Sequence, residues 1–128
     1  MLVVAAAVVE REGRVMLCQR LPNAHNGLKW EFPGGKLEAG ETPEAALARE
    51  LREELDIDVA VGRIRDAVVH RYPDREVLVL FYSCTLLSGE PTAIQCNAIA
   101  WVEQADMPCY DFAGADWVFV KRNYSGQL

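Results

Sequence analysis

The segment from residue 42 to residue 55 constrains the fold more than any other part of the chain, because it carries the signals of an amphipathic helix. Thr42 suits the N-cap with its hydroxyl oxygen, and Pro43 suits the first helical position. Leucines recur at every fourth position after this start and share one face; they are Leu47, Leu51 and Leu55. Such a helix is stable only when another layer covers its leucines, so the rest of the chain has to supply that layer.

The segments around this helix have the composition of β-strands. The predicted strands cover residues 1–10, 15–20, 30–32, 57–72, 76–87 and 98–102. The first two form a hairpin, and the third is stopped by Pro33-Gly34-Gly35. The pattern of residues 114–123 predicts a last helix at the end of the domain, with a strand as the alternative. Strands mixed with two helices imply an α/β layered domain, which we expect to span residues 1–128 as a single unit.

The charge balance argues against one class of partner. The chain carries 13 Lys and Arg against 19 Asp and Glu, a net charge of −6, whereas binding to a nucleic-acid polymer depends on basic patches. No apolar run is long enough to cross a bilayer, and the N-terminal stretch lacks the basic leader of a signal peptide. The four cysteines form no CxxC pair and suit a reducing compartment. We therefore expect a cytoplasmic protein that contacts neither membrane nor nucleic-acid polymer.

Three glutamates crowd the second half of the predicted helix. Helical spacing stacks Glu50 with Glu53 and Glu54, and like charges so placed destabilise a helix by roughly 0.2 to 0.5 kcal/mol per pair. One interpretation is a solvated face whose repulsion is softened by Arg49 and Arg52. The other is a magnesium site, because Mg²⁺ prefers carboxylate oxygens together with phosphate oxygens of a substrate. The cluster alone leaves both interpretations open.

The residues around the cluster resemble the signature of the Nudix hydrolases, G-x5-E-x7-R-E-U-x-E-E-x-G-U, in which U is aliphatic. The matching residues are Gly35, Glu41, Arg49-Glu50-Leu51, Glu53-Glu54 and Asp56-Ile57, and Asp56 stands where the family has glycine. Asp tolerates the left-handed conformation that the end of a helix requires, so we expect the site to be retained. The stretch from residue 29 to residue 55 is similar to the MutT-type and CTP pyrophosphohydrolase branch of the family.

This resemblance implies a fold, a reaction and a metal site. The fold is an α/β/α sandwich with a mixed sheet, and the reaction is hydrolysis of a nucleoside triphosphate to monophosphate and pyrophosphate with Mg²⁺, or with Mn²⁺ as the alternative. The implied metal ligands are Glu50, Glu53, Glu54 and the carbonyl of Gly34. Glu50 or Glu53 would also orient or deprotonate the attacking water. Glu41 would pair with Arg49 and hold the loop against the helix.

The resemblance also implies substrate contacts. Arg20 matches a phosphate-binding arginine, Lys36 is placed near the phosphates, and His25 lies where relatives have a loop histidine. Asp116 matches a base-reading position: an ionised carboxylate would suit the amino group of cytosine, and a protonated one would suit 8-oxoguanine. Further substrate contacts are expected from Tyr72 and Arg75, and the aromatic residues proposed to stack on the base are Tyr72, Phe32 and Trp117.

One family feature is missing from the sequence, and two other functions stay open. The segment from residue 91 to residue 102 contains no carboxylate, and Gln95 takes the place of the additional acidic ligand that the family usually has. The alternatives are hydrolysis of another nucleoside diphosphate derivative, or nucleotide sensing without catalysis. We expect a small nucleotide as the partner, bound by a monomer or a homodimer.

Overall fold

The computed structural model describes residues 1–124, in which seven strands and two α-helices are formed. The strands are β1 (Leu2–Arg11), β2 (Arg14–Gln19), β3 (Trp30–Glu31), β4 (Gly34–Lys36), β5 (Asp58–Tyr72), β6 (Arg75–Ser88) and β7 (Ala98–Glu103). The helices are α1 (Pro43–Leu55) and α2 (Gly114–Tyr124), and a 3₁₀-helix (Gln104–Cys109) precedes α2. No helix within residues 1–124 is long and apolar enough to cross a membrane.

The strands form one mixed sheet, as the sequence predicts. Its main order is β3-β2-β1-β6-β5, while β4 pairs with β1 and β7 pairs with β2. Strands β1 and β6 are parallel, and the other pairs are antiparallel. The predicted hairpin is present as β1 and β2, with Glu10 opposite Val15.

The two faces of the sheet are covered by different helices, because side chains alternate along β1. Ala5, Ala7 and Val9 pack in the cluster that holds the three leucines of α1. Ala6 and Val8 pack in the opposite cluster, which holds the buried residues of α2. All three leucines of α1 are fully buried, and each contributes about 1.5 to 3 kcal/mol by leaving water. The expected α/β/α sandwich is confirmed.

The structure adds one strand to the predicted set and decides between the two alternatives for residues 114–123. The glycines after the third strand do not end the sheet there: β4 pairs with β1 and places Ala5 opposite Gly35. A Cβ at Gly34 would lie 2.0 Å from the carbonyl oxygen of Ala5, so only glycine permits this close pairing, which turn propensity does not reveal. Residues 114–123 adopt the predicted helix, because Phe119 and Val120 are both fully buried against the sheet.

Candidate functional site

An open cavity of about 320 Å³ lies between the edge of the sheet and the start of α2. All five residues predicted to contact substrate line it: Arg20, Lys36, Tyr72, Arg75 and Asp116. Gly34, Gly35, Glu31 and Phe32 line it as well. Residues separated by almost a hundred positions in the sequence therefore meet around one space, large enough for a small organic ligand.

The ends of α1 position the glutamates beside this cavity. The helix begins with the N–H of Ala45 donating to the Thr42 hydroxyl at 3.1 Å. It ends at Asp56, whose backbone is left-handed with φ 56° and ψ 44° and whose N–H donates to the Arg52 carbonyl. The left-handed conformation expected at Asp56 is confirmed, and the helix ends without a glycine.

Arg49 links the loop before α1 to the glutamates of the helix. Its Nε donates to Glu41 Oε2 at 2.7 Å and its Nη2 donates to Glu41 Oε1 at 2.9 Å. Its Nη1 donates to Glu50 at 2.9 Å and to Glu53 at 3.3 Å. The predicted Glu41–Arg49 pair is therefore present, and the Arg49 hydrogen bonds lower the pKa of Glu41 to about 2.

Glu50 and Glu54 are held close together in a partly desolvated position. Burial, followed by the hydrogen bond and the charge of Glu50, raises the pKa of Glu54 well above its usual range, so the pair favours holding a proton. Gly35 makes room for this pair, because a Cβ at position 35 would lie 2.5 Å from the Glu50 carboxyl carbon. Such crowded oxygen donors fit a divalent cation, which would take the place of the proton when bound.

Glu53 does not join the other two glutamates in this arrangement. Its side chain is 52% exposed and contacts Arg49. Within residues 1–124, no three Asp, Glu, His or Cys side chains are gathered around one point as a metal site. Ligation by Glu53 thus requires a rotation of its exposed side chain away from Arg49, and its role as a ligand stays a prediction.

Arg20 is fixed at the mouth of the cavity by two contacts. Its Nε donates to the carbonyl oxygen of His25 at 2.6 Å, and its Nη1 donates to Glu31 Oε1 at 2.9 Å. His25 itself is exposed and lines an adjoining cavity with Arg20 and Arg75. Lys36 is exposed at the edge of the main cavity. The two cations that we expect to meet phosphate thus lie at the same opening.

Asp116 lies in the first turn of α2 and lines the same cavity, within reach of the charges of Arg20 and Glu31. Desolvation raises the pKa of Asp116 well above its usual range, and the charge of Glu31 adds to the effect. A hydrogen bond from the Phe32 N–H and the charge of Arg20 oppose it without cancelling it. The raised pKa favours the protonated carboxyl group, which both donates and accepts hydrogen bonds.

The three aromatic residues expected to stack on the base have different positions. Tyr72 lines the cavity, and the guanidinium of Arg75 lies over its ring at 5.6 Å. Phe32 also lines the cavity, but its ring packs in the core against Phe81 and Phe119. Trp117 lines a separate cavity on the far side of α2. The helical turn directs neighbouring side chains apart, so Trp117 cannot join Asp116 in one pocket.

Gln95 is exposed in the loop between β6 and β7. The preceding residue, Ile94, donates its N–H to the backbone carbonyl of Glu54 at 3.2 Å, so this loop does lie against the glutamate end of α1. Cys96 in the same loop shares a hydrogen bond with the buried Cys18. The loop therefore lies beside the end of α1, and Gln95 as an additional ligand stays a prediction.

Sequence reasoning missed Glu31, which lines the cavity and pairs with Arg20. The available signal was the alternation of residues 30–32, in which one charged residue stands between two aromatic ones. Alternation directs that charged side chain away from the core face of the strand. The position of Glu31 matters because β3 pairs with β2 and brings Arg20 next to it, and this pairing is known only from the folded sheet.

Comparisons with known proteins agree with this geometry. The family model of the NUDIX domain matches residues 1–122. A Proteus vulgaris protein named 8-oxo-dGTP diphosphatase is 43% identical over 90 residues, covering 70% of this chain and 80% of that protein. An Escherichia coli protein named CTP pyrophosphohydrolase is 34% identical over 116 residues, covering 91% and 86%. The solution structure of the E. coli ORF135 protein has a TM-score of 0.81 at 30% identity, covering 100% of this chain and 95% of that one.

Proposed function

Because this chain belongs to the Nudix family and is a hydrolase that acts on phosphoric anhydrides, we propose that it cleaves a nucleoside triphosphate to monophosphate and pyrophosphate. The preferred substrate in this proposal is an oxidised purine nucleotide such as 8-oxo-dGTP. The observation that carries the proposal is the carboxyl group of Asp116, which lines the same cavity as Arg20 and Lys36 and whose raised pKa favours the protonated form. A carboxyl group that both donates and accepts can bind the acceptor O6 and the donor N7–H of 8-oxoguanine.

The proposed metal site uses Glu50, Glu54 and the Gly34 carbonyl, with Glu53 after its rotation. A divalent cation held there, Mg²⁺ or in its place Mn²⁺, would neutralise the phosphate oxygens that these carboxylates repel. Arg49 holds Glu50 from one side, so that carboxylate keeps a fixed orientation. The proposed catalytic residues of the chain are Glu50, Glu53, Arg49 and Glu41, the last two acting by positioning the carboxylates.

The remaining residues bind and orient the nucleotide. Arg20 and Lys36 would contact the phosphates at the mouth of the cavity. Tyr72 and Arg75 form one wall, against which the base would stack. Either Glu50 or Glu53 would accept the proton of the attacking water, each as a carboxylate of the proposed metal site. Water is excluded on the inner side because the core residues Val77 and Val79 form the cavity floor.

A second substrate is favoured by one specific observation. The similarity to the protein named CTP pyrophosphohydrolase extends over 91% of this chain, so CTP or dCTP is the second candidate. An ionised Asp116 would suit the amino group of cytosine, whereas the raised pKa of Asp116 favours the oxidised purine. A nucleotide partner without a polymer or membrane, a monomeric or dimeric assembly and a cytoplasmic location all stay predictions from the sequence.

The proposal is tested by assaying a panel of nucleotides with Mg²⁺ and identifying the products by mass. The panel contains 8-oxo-dGTP, dGTP, CTP, dCTP, UTP and a nucleotide sugar. We expect the highest kcat/KM for 8-oxo-dGTP, with a monophosphate and pyrophosphate as products, and loss of turnover in excess chelator. The variant Glu53→Gln tests the assigned site in the same assay. It removes one charge from an exposed side chain, so it should fold like the parent while losing turnover.

Three results would contradict the proposal. Turnover of the nucleotide sugar alone would assign the chain to another diphosphate substrate. Tight nucleotide binding by the unmodified chain without any turnover would favour nucleotide sensing. Full activity of Glu53→Gln would mean that this glutamate belongs only to a solvated helix face.

A further inference from the structure

Glu31 has no part in the roles assigned above, although it lines the cavity. We propose that Glu31 is a positioning residue, which holds the guanidinium of Arg20 so that its remaining N–H groups face the phosphates of the substrate. The proposal rests on the proposed function, since it assumes that an anionic ligand enters at the Arg20 end. It assigns to Glu31 an effect that passes through Arg20, without direct contact between Glu31 and the nucleotide.

The sheet brings the two side chains together by its register. Cys18 pairs with Glu31 across β2 and β3, and the N–H of Arg20 continues this pairing by donating to the carbonyl of Lys29. Arg20 and Glu31 are therefore diagonal neighbours on one face, within reach of long side chains. The ion pair follows from strand pairing and requires no flexible loop to form it.

The contacts of Arg20 leave it both fixed and available. Of the five N–H groups of a guanidinium, one on Nε binds the carbonyl of His25 and one on Nη1 binds Glu31. The side chain of Arg20 is 33% exposed, so the rest of the group can be reached from the cavity. Two fixed points determine the plane of the guanidinium, and planar recognition of phosphate depends on that orientation.

A carboxylate in an anion-binding cavity needs a specific explanation. Glu31 repels phosphate by its own charge, and a half-exposed ion pair contributes little to stability. Its presence therefore weakens phosphate binding unless the gain in binding from the orientation of Arg20 exceeds the loss from repulsion. The same charge also acts on Asp116, whose pKa is raised by burial and further by Glu31, so Glu31 influences Asp116 as well as Arg20.

The test compares Glu31→Gln with the parent chain and with a matched control. Glu103→Gln is the control, because Glu103 forms an ion pair of 3.3 Å with Arg14 at the opposite end of the same strand β2, outside the cavity. We expect Glu31→Gln to raise KM for the preferred triphosphate about tenfold, with a smaller change in kcat, because a phosphate contact is weakened in the ground state and the transition state alike. Glu103→Gln should leave both constants unchanged.

A double-substitution cycle separates positioning from simple folding effects. If Glu31 acts through Arg20, Glu31→Gln should have little further effect in an Arg20→Ala background. Glu31→Asp, which keeps the charge with a shorter side chain, should recover part of the loss. Tighter phosphate binding by Glu31→Gln would show that Glu31 only repels and would overturn the proposal, as would full additivity with Arg20→Ala.

The pH profile supplies a readout that a purely structural role would not change. The charges of Glu31 and Arg20 act on Asp116, and the Phe32 N–H donates a hydrogen bond to it. The other polar side chains that line the cavity are Lys36, Tyr72 and Arg75. Removing the charge of Glu31 lowers the pKa of Asp116, so the alkaline limb of 8-oxo-dGTP turnover should move to lower pH. An unmoved limb would count against the influence of Glu31 on Asp116.

Binding of inorganic pyrophosphate with Mg²⁺, followed by calorimetry, distinguishes failure of this proposal from failure of the proposed function. If the parent chain binds pyrophosphate but hydrolyses no nucleoside triphosphate, the proposed function fails. The Glu31 variants can then still be compared with the parent by their affinity for pyrophosphate. If the parent hydrolyses the triphosphate while Glu31→Gln and Glu103→Gln bind pyrophosphate equally, the positioning role is wrong. Thermal unfolding of each variant verifies that all of them are folded.

Discussion

Arg49 binds the carboxylate of Glu41 with two hydrogen bonds, of 2.7 Å and 2.9 Å, while a third N–H group of the same guanidinium reaches Glu50 at 2.9 Å. The loop before α1 is thereby connected to a proposed metal ligand through one planar group. Because the guanidinium is rigid, a change at Glu41 moves the carboxylate of Glu50. We therefore expect Glu41 to affect the reaction through Arg49, without touching the substrate.

We predict that Glu41→Gln lowers kcat by about 10- to 100-fold, the range found when partners of metal ligands are removed. The matched control is Glu90→Gln, which breaks an exposed ion pair of equal length between Arg11 and Glu90. Activity of Glu90→Gln should equal that of the parent. Equal activity of both variants would exclude a positioning role for Glu41.

The same pair has a pH signature in stability. The folded-state pKa of Glu41 is lowered from 4.5 to about 2, so its contribution is fully present above pH 4.5 and is lost as the pH falls through about 2. Glu41→Gln should therefore unfold at a lower denaturant concentration than the parent at pH 7. This difference should shrink as the pH falls below 4.5. A difference that stays constant down to pH 2.5 would contradict the assignment.

We predict that Gly35→Ala lowers kcat/KM by about 100-fold, the loss expected when a reacting group is displaced by about 1 Å. The added Cβ would lie 2.5 Å from the Glu50 carboxyl carbon and would displace that side chain. In a Glu50→Asp background, where the shorter side chain is withdrawn, Gly35→Ala should add little. An undiminished effect there would place the cause in the backbone of β4. Circular dichroism checks that the fold is kept.

The sequence predicted α1 and its glutamates well because their geometry is local. The N-cap Thr42, the leucine face and the left-handed Asp56 all depend on residues within a few positions of one another. The helix period then places Glu50 and Glu54 side by side without any knowledge of the sheet. A motif that occupies one helix and the loop before it can therefore be read directly from the sequence.

The cavity was predicted less completely because it is assembled across the sheet. Glu31 acquires its proposed role from the register of β2 and β3, and β4 pairs with β1 because Gly34 allows the close approach to Ala5. Trp117 was assigned to the cavity although the turn of α2 directs it elsewhere. In each case the deciding neighbour lies far away in the sequence, where neither spacing nor propensity carries information.

We predict that Asp56→Gly raises the free energy of unfolding by about 0.5 to 1 kcal/mol, because glycine adopts the left-handed conformation without the strain of a side chain. Asp56 has φ 56° and ψ 44° at the end of α1. Asp56→Ala should lower the free energy of unfolding, since alanine lacks the local hydrogen bonding of Asp. Denaturant unfolding measures both changes. Stabilisation by alanine equal to that by glycine would contradict the conformational explanation.

The final prediction concerns the discrimination between 8-oxo-dGTP and dGTP by Asp116. Its raised pKa favours the protonated carboxyl group, and in that form Asp116 offers one O–H donor and one acceptor oxygen. The edge of 8-oxoguanine offers the acceptor O6 and the donor N7–H, whereas guanine offers two acceptors there. One unpaired group costs about 1 to 3 kcal/mol, or roughly one to two decades in kcat/KM.

Asp116→Asn and Asp116→Ala, assayed on both nucleotides across pH, test this assignment. Asn also donates and accepts, so Asp116→Asn should keep most of the preference, while Asp116→Ala should lose it by lowering kcat/KM for 8-oxo-dGTP alone. In the parent chain the preference should decline as the pH rises through the raised pKa of Asp116, because the ionised carboxylate no longer donates to O6. The Asn variant has no proton to lose, so its preference should be independent of pH in that range. If the Asn and Ala variants lose activity equally on both nucleotides, Asp116 does not bind the base. A preference for CTP that increases with pH would instead assign the ionised carboxylate to the amino group of cytosine.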